Sequence, residues 1–303
     1  MPDHPDRALP PTERRLDASA ELDTMSTRER LALLTAESRV AVDAVEAALP
    51  QLAELVDAAA ERMRRGGTVH YVGAGTSGRL GVLDASELLP TFHLEPGRVV
   101  GHIAGGSAAL VSAVEDAEDS AGEGREVVAG LGPDDVVIGI AASGSTPYVG
   151  GALEAAGAAG AVTALISSNP AASLAGIADI HVLLDTGPEV VTGSTRLKAG
   201  TAQKLALNGF STATMIALGR TWQNLMVSVV ATNAKLRERT VRILAEALGI
   251  AAEDARARLE ASDGDLKAAI VAELTGREPA EAARLLSAHG GSVRDAVAAG
   301  TGP

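Results

Sequence analysis

Two short runs of small and hydroxylated residues are the parts of this 303-residue chain best suited to chemistry. One is Gly73-Ala74-Gly75-Thr76-Ser77-Gly78-Arg79 and the other is Ser143-Gly144-Ser145-Thr146-Pro147. Neither holds a strong nucleophile. Each offers backbone N–H groups and hydroxyls, the donors an anion needs. The first run follows the apolar segment Thr68–Val72 and the second follows Val136–Ala142, and a helical pattern comes after each. A buried strand, a small-residue turn and a helix start put the donors at a helix N-terminus, where the peptide dipoles favour negative charge. Pro147 suits the first turn of the second helix. Gly75, Thr76, Ser77, Ser143, Ser145 and Thr146 are the expected contact residues. Two such loops in one sheet predict a phosphorylated small molecule as ligand.

The spacing Gly73-x-Gly75-x-x-Gly78 also matches a dinucleotide fingerprint. That site wants an acidic residue closing the second strand, and here Val99–Ala104 runs into Gly105-Gly106. Thr76 and Ser77 suit a compact phosphate better than a pyrophosphate. Thr192-Gly193-Ser194-Thr195-Arg196-Leu197-Lys198 opens a further helix with hydroxyls and cations. Ser194, Thr195 and Lys198 form a candidate third wall for an anionic sugar; the alternative is ordinary capping by Ser194 or Thr195.

Two carboxylates fall on apolar helix faces. With Ser107–Asp119 read as a helix, Leu110, Val111, Val114 and Ala117 cluster on one side and Glu118 lies among them. Glu87 stands four residues after Leu83 and seven after Leu80. Such a carboxylate is either buried with a partner or lines a cleft. The acidic run Glu115–Asp119 reads as a solvated face rather than a metal site, because no His lies at ligand spacing. His70, His102 and His181 fall in strands, and Ser143 has no triad or nucleophile-elbow context.

The elements that must position these groups read as an α/β fold. Ser26-Thr27-Arg28-Glu29 is a capping box that starts a helical region running to about Arg65, divided by Pro50. Then Thr68–Val72, Val99–Ala104, Val136–Ala142, Val162–Ser167 and Ile180–Leu184 alternate with Ala-rich helical stretches. Runs apolar on both faces in that order predict a doubly wound, five-stranded parallel sheet. Long helices are expected over 194–218 and 222–248, with Gly249 ending the second, and a tail of three short helices follows. The expected division is a lead-in over residues 1–25, a sugar-phosphate-binding domain over 26–236 and a helical bundle over 237–303.

Composition narrows the function classes. A net charge of −13 and 2% aromatic residues argue against nucleic acid or an anionic membrane as partner. There is no Cys, which removes disulfides, zinc thiolates and cysteine nucleophiles. No segment carries the run of about 18 apolar residues of a spanning helix, and the N-terminus lacks a signal-peptide pattern, so a cytoplasmic protein is expected.

Longer segments carry a resemblance. Residues 73–87, Ala113-Val-Glu-Asp-Ala-Glu-Asp119, Gly139-Ile-Ala-Ala-Ser-Gly144 and Thr192-Gly-Ser-Thr-Arg-Leu-Lys-Ala-Gly-Thr-Ala-Gln-Lys204 are similar to the N-acetylmuramic acid 6-phosphate etherases. Asn224-Leu-Met-Val227 and Ala231-Thr-Asn-Ala-Lys-Leu236 extend the likeness, which spans about residues 12–300. It implies a sugar isomerase (SIS) fold, a homodimer and a small C-terminal bundle similar to ubiquitin-associated domains. It implies cleavage of the D-lactyl ether of N-acetylmuramic acid 6-phosphate without metal or other cofactor, in recycling of cell-wall fragments. Glu87 would then be the general acid and Glu118 the general base. The chain departs from the family pattern at Leu16 (usually Asn), at Ser145 (usually Arg) and at Leu197 (commonly Met). Ser145 removes a cation near the expected anion. A sugar-phosphate isomerase, or a non-catalytic sensor resembling the glucokinase regulatory protein, would share the fold and both loops.

Overall fold

A computed structural model describes residues 9–229 and 234–301. Five strands, β1 (Val69–Gly73), β2 (Val99–Ile103), β3 (Val136–Ile140), β4 (Val162–Ser167) and β5 (Ile180–Leu183), form one parallel sheet in the order β2-β1-β3-β4-β5. These are the five expected runs, displaced by at most two residues at their ends. The strand order reverses between β1 and β3, and the register aligns Gly73 with Ile140. Chains leaving neighbouring strands on opposite sides of such a switch point open a crevice at the C-terminal edge of the sheet. The two hydroxyl-rich loops are the ones that leave β1 and β3.

Helices α1 (Thr27–Ala47) and α2 (Leu49–Arg64) precede the sheet. The capping box is formed: Ser26 Oγ accepts from Glu29 N–H, and the Glu29 carboxylate accepts from Ser26 N–H at 2.8 Å. Pro50, in the first turn of α2, marks the break. Helix α3 (Gly75–Phe92) follows β1, α4 (Ala121–Glu126) precedes β3, and α5 (Pro147–Ala158) follows β3. Helix α3 lies close on β1 because glycines line the contact. A Cβ on Gly78 would fall 2.6 Å from Gly73 O, and one on Gly81 would fall 2.9 Å from Tyr71 Cβ. The core beneath is built from Val72, Val137, Val149, Leu153 and Leu165. Tyr71 meets Phe210 edge-on at 6.2 Å between ring centroids.

Helix α6 (Lys198–Ala217) is followed by an irregular stretch and then by α7 (Ala234–Leu248), α8 (Ala252–Ala261), α9 (Leu266–Thr275), α10 (Pro279–Ala288) and α11 (Val293–Gly300). Two expectations are corrected here. Among the described residues of 222–248, the helix runs over Ala234–Leu248. Residues 222–229 instead form a turn around a Trp222–Leu225 bridge, with Gln223 at φ 52°, and residues 230–233 lie outside the described residues. The tail after Gly249 forms four short helices, not three, because each Gly or Pro break separates two of them. By its internal contacts the chain divides into two compact units. One comprises residues up to Ser86 together with Gly97–Ser211; the other comprises Glu87–Pro96 and the residues from Thr212 onward. The second unit has its own core of Val241, Leu244, Ile270, Val271, Leu286 and Val293.

Candidate functional site

The crevice at the switch point contains a cavity of about 230 Å³. Gly75, Thr76 and Ser77 line it from the start of α3, Ser143 and Thr146 from the loop into α5, Thr195 and Gly193 from the segment before α6, and Glu118 from the β2–β3 connection. Thr12 and Glu13 close it from the N-terminal segment, where Gly193 N–H donates to Thr12 O at 3.1 Å. Gly193 has φ +76°, and a Cβ there would come within 3.2 Å of Glu13 Oε2, so the position suits glycine on both counts. Neither Thr12 nor Glu13 is among the contact residues expected from the sequence. They bring a second carboxylate to a cavity that already holds Glu118.

The second loop is held from below. Asn169 Nδ2 donates to Ser143 O at 3.1 Å, and Leu174 N–H donates to Gly144 O at 3.0 Å. Ser145 is exposed and lies outside the cavity lining. Its N–H and its hydroxyl both donate to Ser143 Oγ, at 3.3 and 3.1 Å. Ser143 therefore receives two bonds and keeps its own hydrogen to give. Thr146 is the N-cap residue of α5, yet its side chain makes no capping bond, so its hydroxyl is open to the cavity.

Ser194 and Lys198 do not line this cavity. Glu189, fully buried, takes the place an anion would occupy at the start of α6. Its carboxylate accepts from Lys198 N–H at 3.1 Å and from Ala199 N–H at 3.0 Å. Burial pushes its carboxyl above the usual carboxylate range, against the pull of those two N–H groups. The Lys198 ammonium, 4% exposed, turns instead to Glu37 of α1 at 2.5 Å. Glu189, and neither Ser194 nor Thr195, is thus the cap of α6. Nothing in the local pattern marks it, since it lies nine residues before the helix.

The helical wheel that singled out Glu118 does not hold. Residues 107–119 form 3₁₀ turns over Gly106–Leu110 and Ala117–Asp119 with an irregular stretch between them. Left-handed backbone at Asp116 interrupts the helix that the apolar spacing suggested, and left-handed Gly105 and Gly106 turn the chain just before it. Val111 is 90% exposed. Glu118 is exposed as well, and it reaches the cavity from the second 3₁₀ turn. It also lines an adjoining cavity of about 240 Å³ with Gly75 and Arg79. Arg79 donates to Leu110 O and Ser112 O, tying this connection to α3.

Glu87 is exposed on α3 and is absent from the cavity lining, and Leu83 on the same face is 49% exposed. The buried face of α3 carries Ser77, Gly81, Asp84 and Leu88 instead. Asp84 accepts from Tyr71 Oη at 2.9 Å and from Ser211 Oγ at 3.1 Å. Its carboxyl is pushed up to about 6, because burial disfavours the charged form more than those hydrogen bonds favour it. The signal for Asp84 was its place seven residues after Ser77 and three after Gly81, on the small-residue face.

The chain is similar to several known proteins. Residues 51–157 match the glucokinase regulatory protein N-terminal SIS domain. N-acetylmuramic acid 6-phosphate etherases are similar over nearly the whole chain. The one from Streptomyces avermitilis is 52% identical over 282 residues, covering 92% of this chain and 91% of its own. The one from Deinococcus radiodurans is 50% identical, covering 93% of each, and the one from Rubrobacter xylanophilus is 51% identical, covering 96% and 97%. Among solved structures, a phosphoheptose isomerase from Francisella tularensis superposes with a TM-score of 0.52 at 18% identity. It covers 63% of this chain and all of its own, a likeness of fold.

Proposed function

We propose, for a chain that belongs to the N-acetylmuramic acid 6-phosphate etherase family, that the cavity between the β1 and β3 loops holds the phosphorylated amino sugar while Glu118 and Glu87 move the protons. The chain is an etherase that serves cell-wall recycling. It cleaves the D-lactyl ether of N-acetylmuramic acid 6-phosphate to N-acetylglucosamine 6-phosphate and D-lactate. The observation that carries the site assignment is the convergence of both hydroxyl-rich loops and a carboxylate on one cavity.

An alkyl ether resists direct hydrolysis at neutral pH. Opening of the sugar ring gives an aldehyde at C1, which makes the C2 proton removable. Glu118 takes that proton, the C3–O bond breaks, and Glu87 protonates the departing lactate oxygen. Water then adds to the unsaturated aldehyde at C3, and C2 regains a proton. Each positioned proton transfer is worth about 10²–10⁴-fold in rate. The phosphate is bound by Thr76, Ser77, Ser143 and Thr146 at the starts of α3 and α5, with Gly75 leaving room for close approach. Thr195 faces the sugar, and Ser145, Ser194 and Lys198 act by holding the surrounding loops. Binding of the remote phosphate aligns C2 and C3 with the carboxylates.

The family resemblance also supports a homodimer. The family resemblance supports a division into residues 26–236, which carry catalysis, and a bundle over 237–303 similar to ubiquitin-associated domains. It also supports a cytoplasmic site of action. Among the described residues no helix is long and apolar enough to cross a membrane. The test is D-lactate release from N-acetylmuramic acid 6-phosphate in H₂¹⁸O with EDTA present. The expected result is ¹⁸O in the sugar product and none in the lactate, with Glu118→Gln and Glu87→Gln each abolishing release while binding of the phosphosugar stays within a few-fold. The match to a regulatory-protein SIS domain favours a sensor as second reading. Binding without lactate release by the unmodified protein would select it.

A further inference from the structure

Ser77 lines the cavity, yet its hydroxyl points its hydrogen elsewhere. Ser77 Oγ donates to Gln203 Oε1 of α6 at 3.0 Å. In that arrangement Ser77 presents only lone pairs to the unprotonated oxygens of an incoming phosphate, which can only accept. The other end of the same amide is an anomaly. Gln203 is 1% exposed, and its Nε2 has no hydrogen-bond partner. Buried polar groups are nearly always satisfied, so an exception asks for a reason.

We propose that Gln203 is a positioning residue that sets the direction of the Ser77 hydroxyl, its side-chain amide turning over when a phosphate enters the cavity. Turned through 180°, the amide places Nε2–H where Oε1 stood, and Nε2 donates to Ser77 Oγ. The Ser77 hydrogen is then released towards the cavity and donates to a phosphate oxygen. One amide atom is unpaired in either orientation, Nε2 without the anion and Oε1 with it, so the internal bonding nearly cancels between them. The additional Ser77-to-phosphate bond decides the orientation. The device needs a side chain at 203 that accepts at one end and donates at the other. Glutamine does both, ionised glutamate only accepts, and methionine does neither. Ser143, already receiving two bonds from Ser145, needs no such relay. The inference rests on the reading of the cavity as a phosphate site and not on the ether cleavage.

The test is the dissociation constant of inorganic phosphate for the full-length protein, by calorimetry, in wild type, Gln203→Glu, Gln203→Met, Ser77→Ala and Ser77→Ala/Gln203→Glu. Gln203→Glu should weaken binding about tenfold or more, a single lost charge-assisted hydrogen bond. Gln203→Met should stay within about threefold of wild type, because its Ser77 hydroxyl is free to turn. Part of the Glu penalty is charge repulsion, which survives in Ser77→Ala, so the double variant separates the two. The penalty should shrink at least about threefold when Ser77 is absent. Equal losses in Gln203→Glu and Gln203→Met, or a Glu penalty unchanged in the Ser77→Ala background, would overturn the relay while leaving the phosphate site intact. No phosphate binding by wild type would overturn both.

Discussion

Asp84 stands well away from its ordinary ionisation, and its effect on stability has a defined sign. In the unfolded chain the carboxyl ionises near 3.8, and in the fold near 6. Between those values the unfolded chain sheds its proton first. The contribution of Asp84 to stability is therefore full below about pH 4 and is lost as pH rises through 6. His70 works in the opposite sense. Burial, with His102 stacked at 5.1 Å, lowers its pKa from 6.5 to about 4, so its contribution is present above 6.5 and is lost on acidification. The two mask each other in the wild type. Asp84→Asn should be more stable than wild type by about 2 kcal/mol at pH 7, with the gap closing towards pH 4. Urea denaturation at several pH values reads this directly, and parallel profiles would show that Asp84 titrates as an ordinary carboxylate. The residue pattern offered little hint of it. Glu87 and Glu118 stand out because they interrupt apolar spacing, whereas Asp84 lies on a face of small residues that hydropathy does not mark.

At the scale of elements, the strands were readable because a parallel strand buried on both faces is a continuous β-branched run bounded by turns. All five were found at the expected places and in an order that puts the two hydroxyl-rich loops side by side. Helices assigned from spacing alone fared worse where backbone geometry overrode it. Left-handed backbone at Asp116 broke the expected helix over 107–119, and Gln223 at φ 52° accompanies the turn that replaces the start of the helix expected over 222–248. A wheel cannot register either. The start of α6 shows a second limit, since its cap is a tertiary contact. Glu189→Ala would leave the N–H groups of Lys198 and Ala199 buried without an acceptor. It should cost about 2–3 kcal/mol in denaturant stability and loosen the neighbouring Gly193–Thr195 wall, raising KM for the phosphosugar. Glu189→Gln keeps one acceptor and should cost less than half as much. Equal stability of all three proteins would remove Glu189 as the cap.

At the scale of the molecule, a homodimer whose sites draw Glu87 and Glu118 from different chains has a direct test. The unmodified protein should sediment at twice the 30.6 kDa chain mass. Glu87→Gln and Glu118→Gln preparations, each inactive, should regain activity when unfolded, mixed and refolded together. Random pairing yields heterodimers with one intact site, which sets a ceiling of about a quarter of wild-type activity. A dimer that regains nothing would place both carboxylates of each site on one chain.

The register that pairs Gly73 with Ile140 has a consequence for how such a protein changes over time. Neighbouring strands stand about 4.8 Å apart because backbone hydrogen bonds hold them there, whatever side chains they bear. The two donor loops inherit that gauge, close to the width of a single tetrahedral anion. Substitution cannot widen or narrow it without dismantling the sheet. What remains free to drift is the rim, made of segments such as Thr12–Glu13, the 105–119 connection and Gly193–Thr195. A lineage built on this plan can exchange the chemistry performed on the sugar again and again while its hold on the phosphate stays fixed.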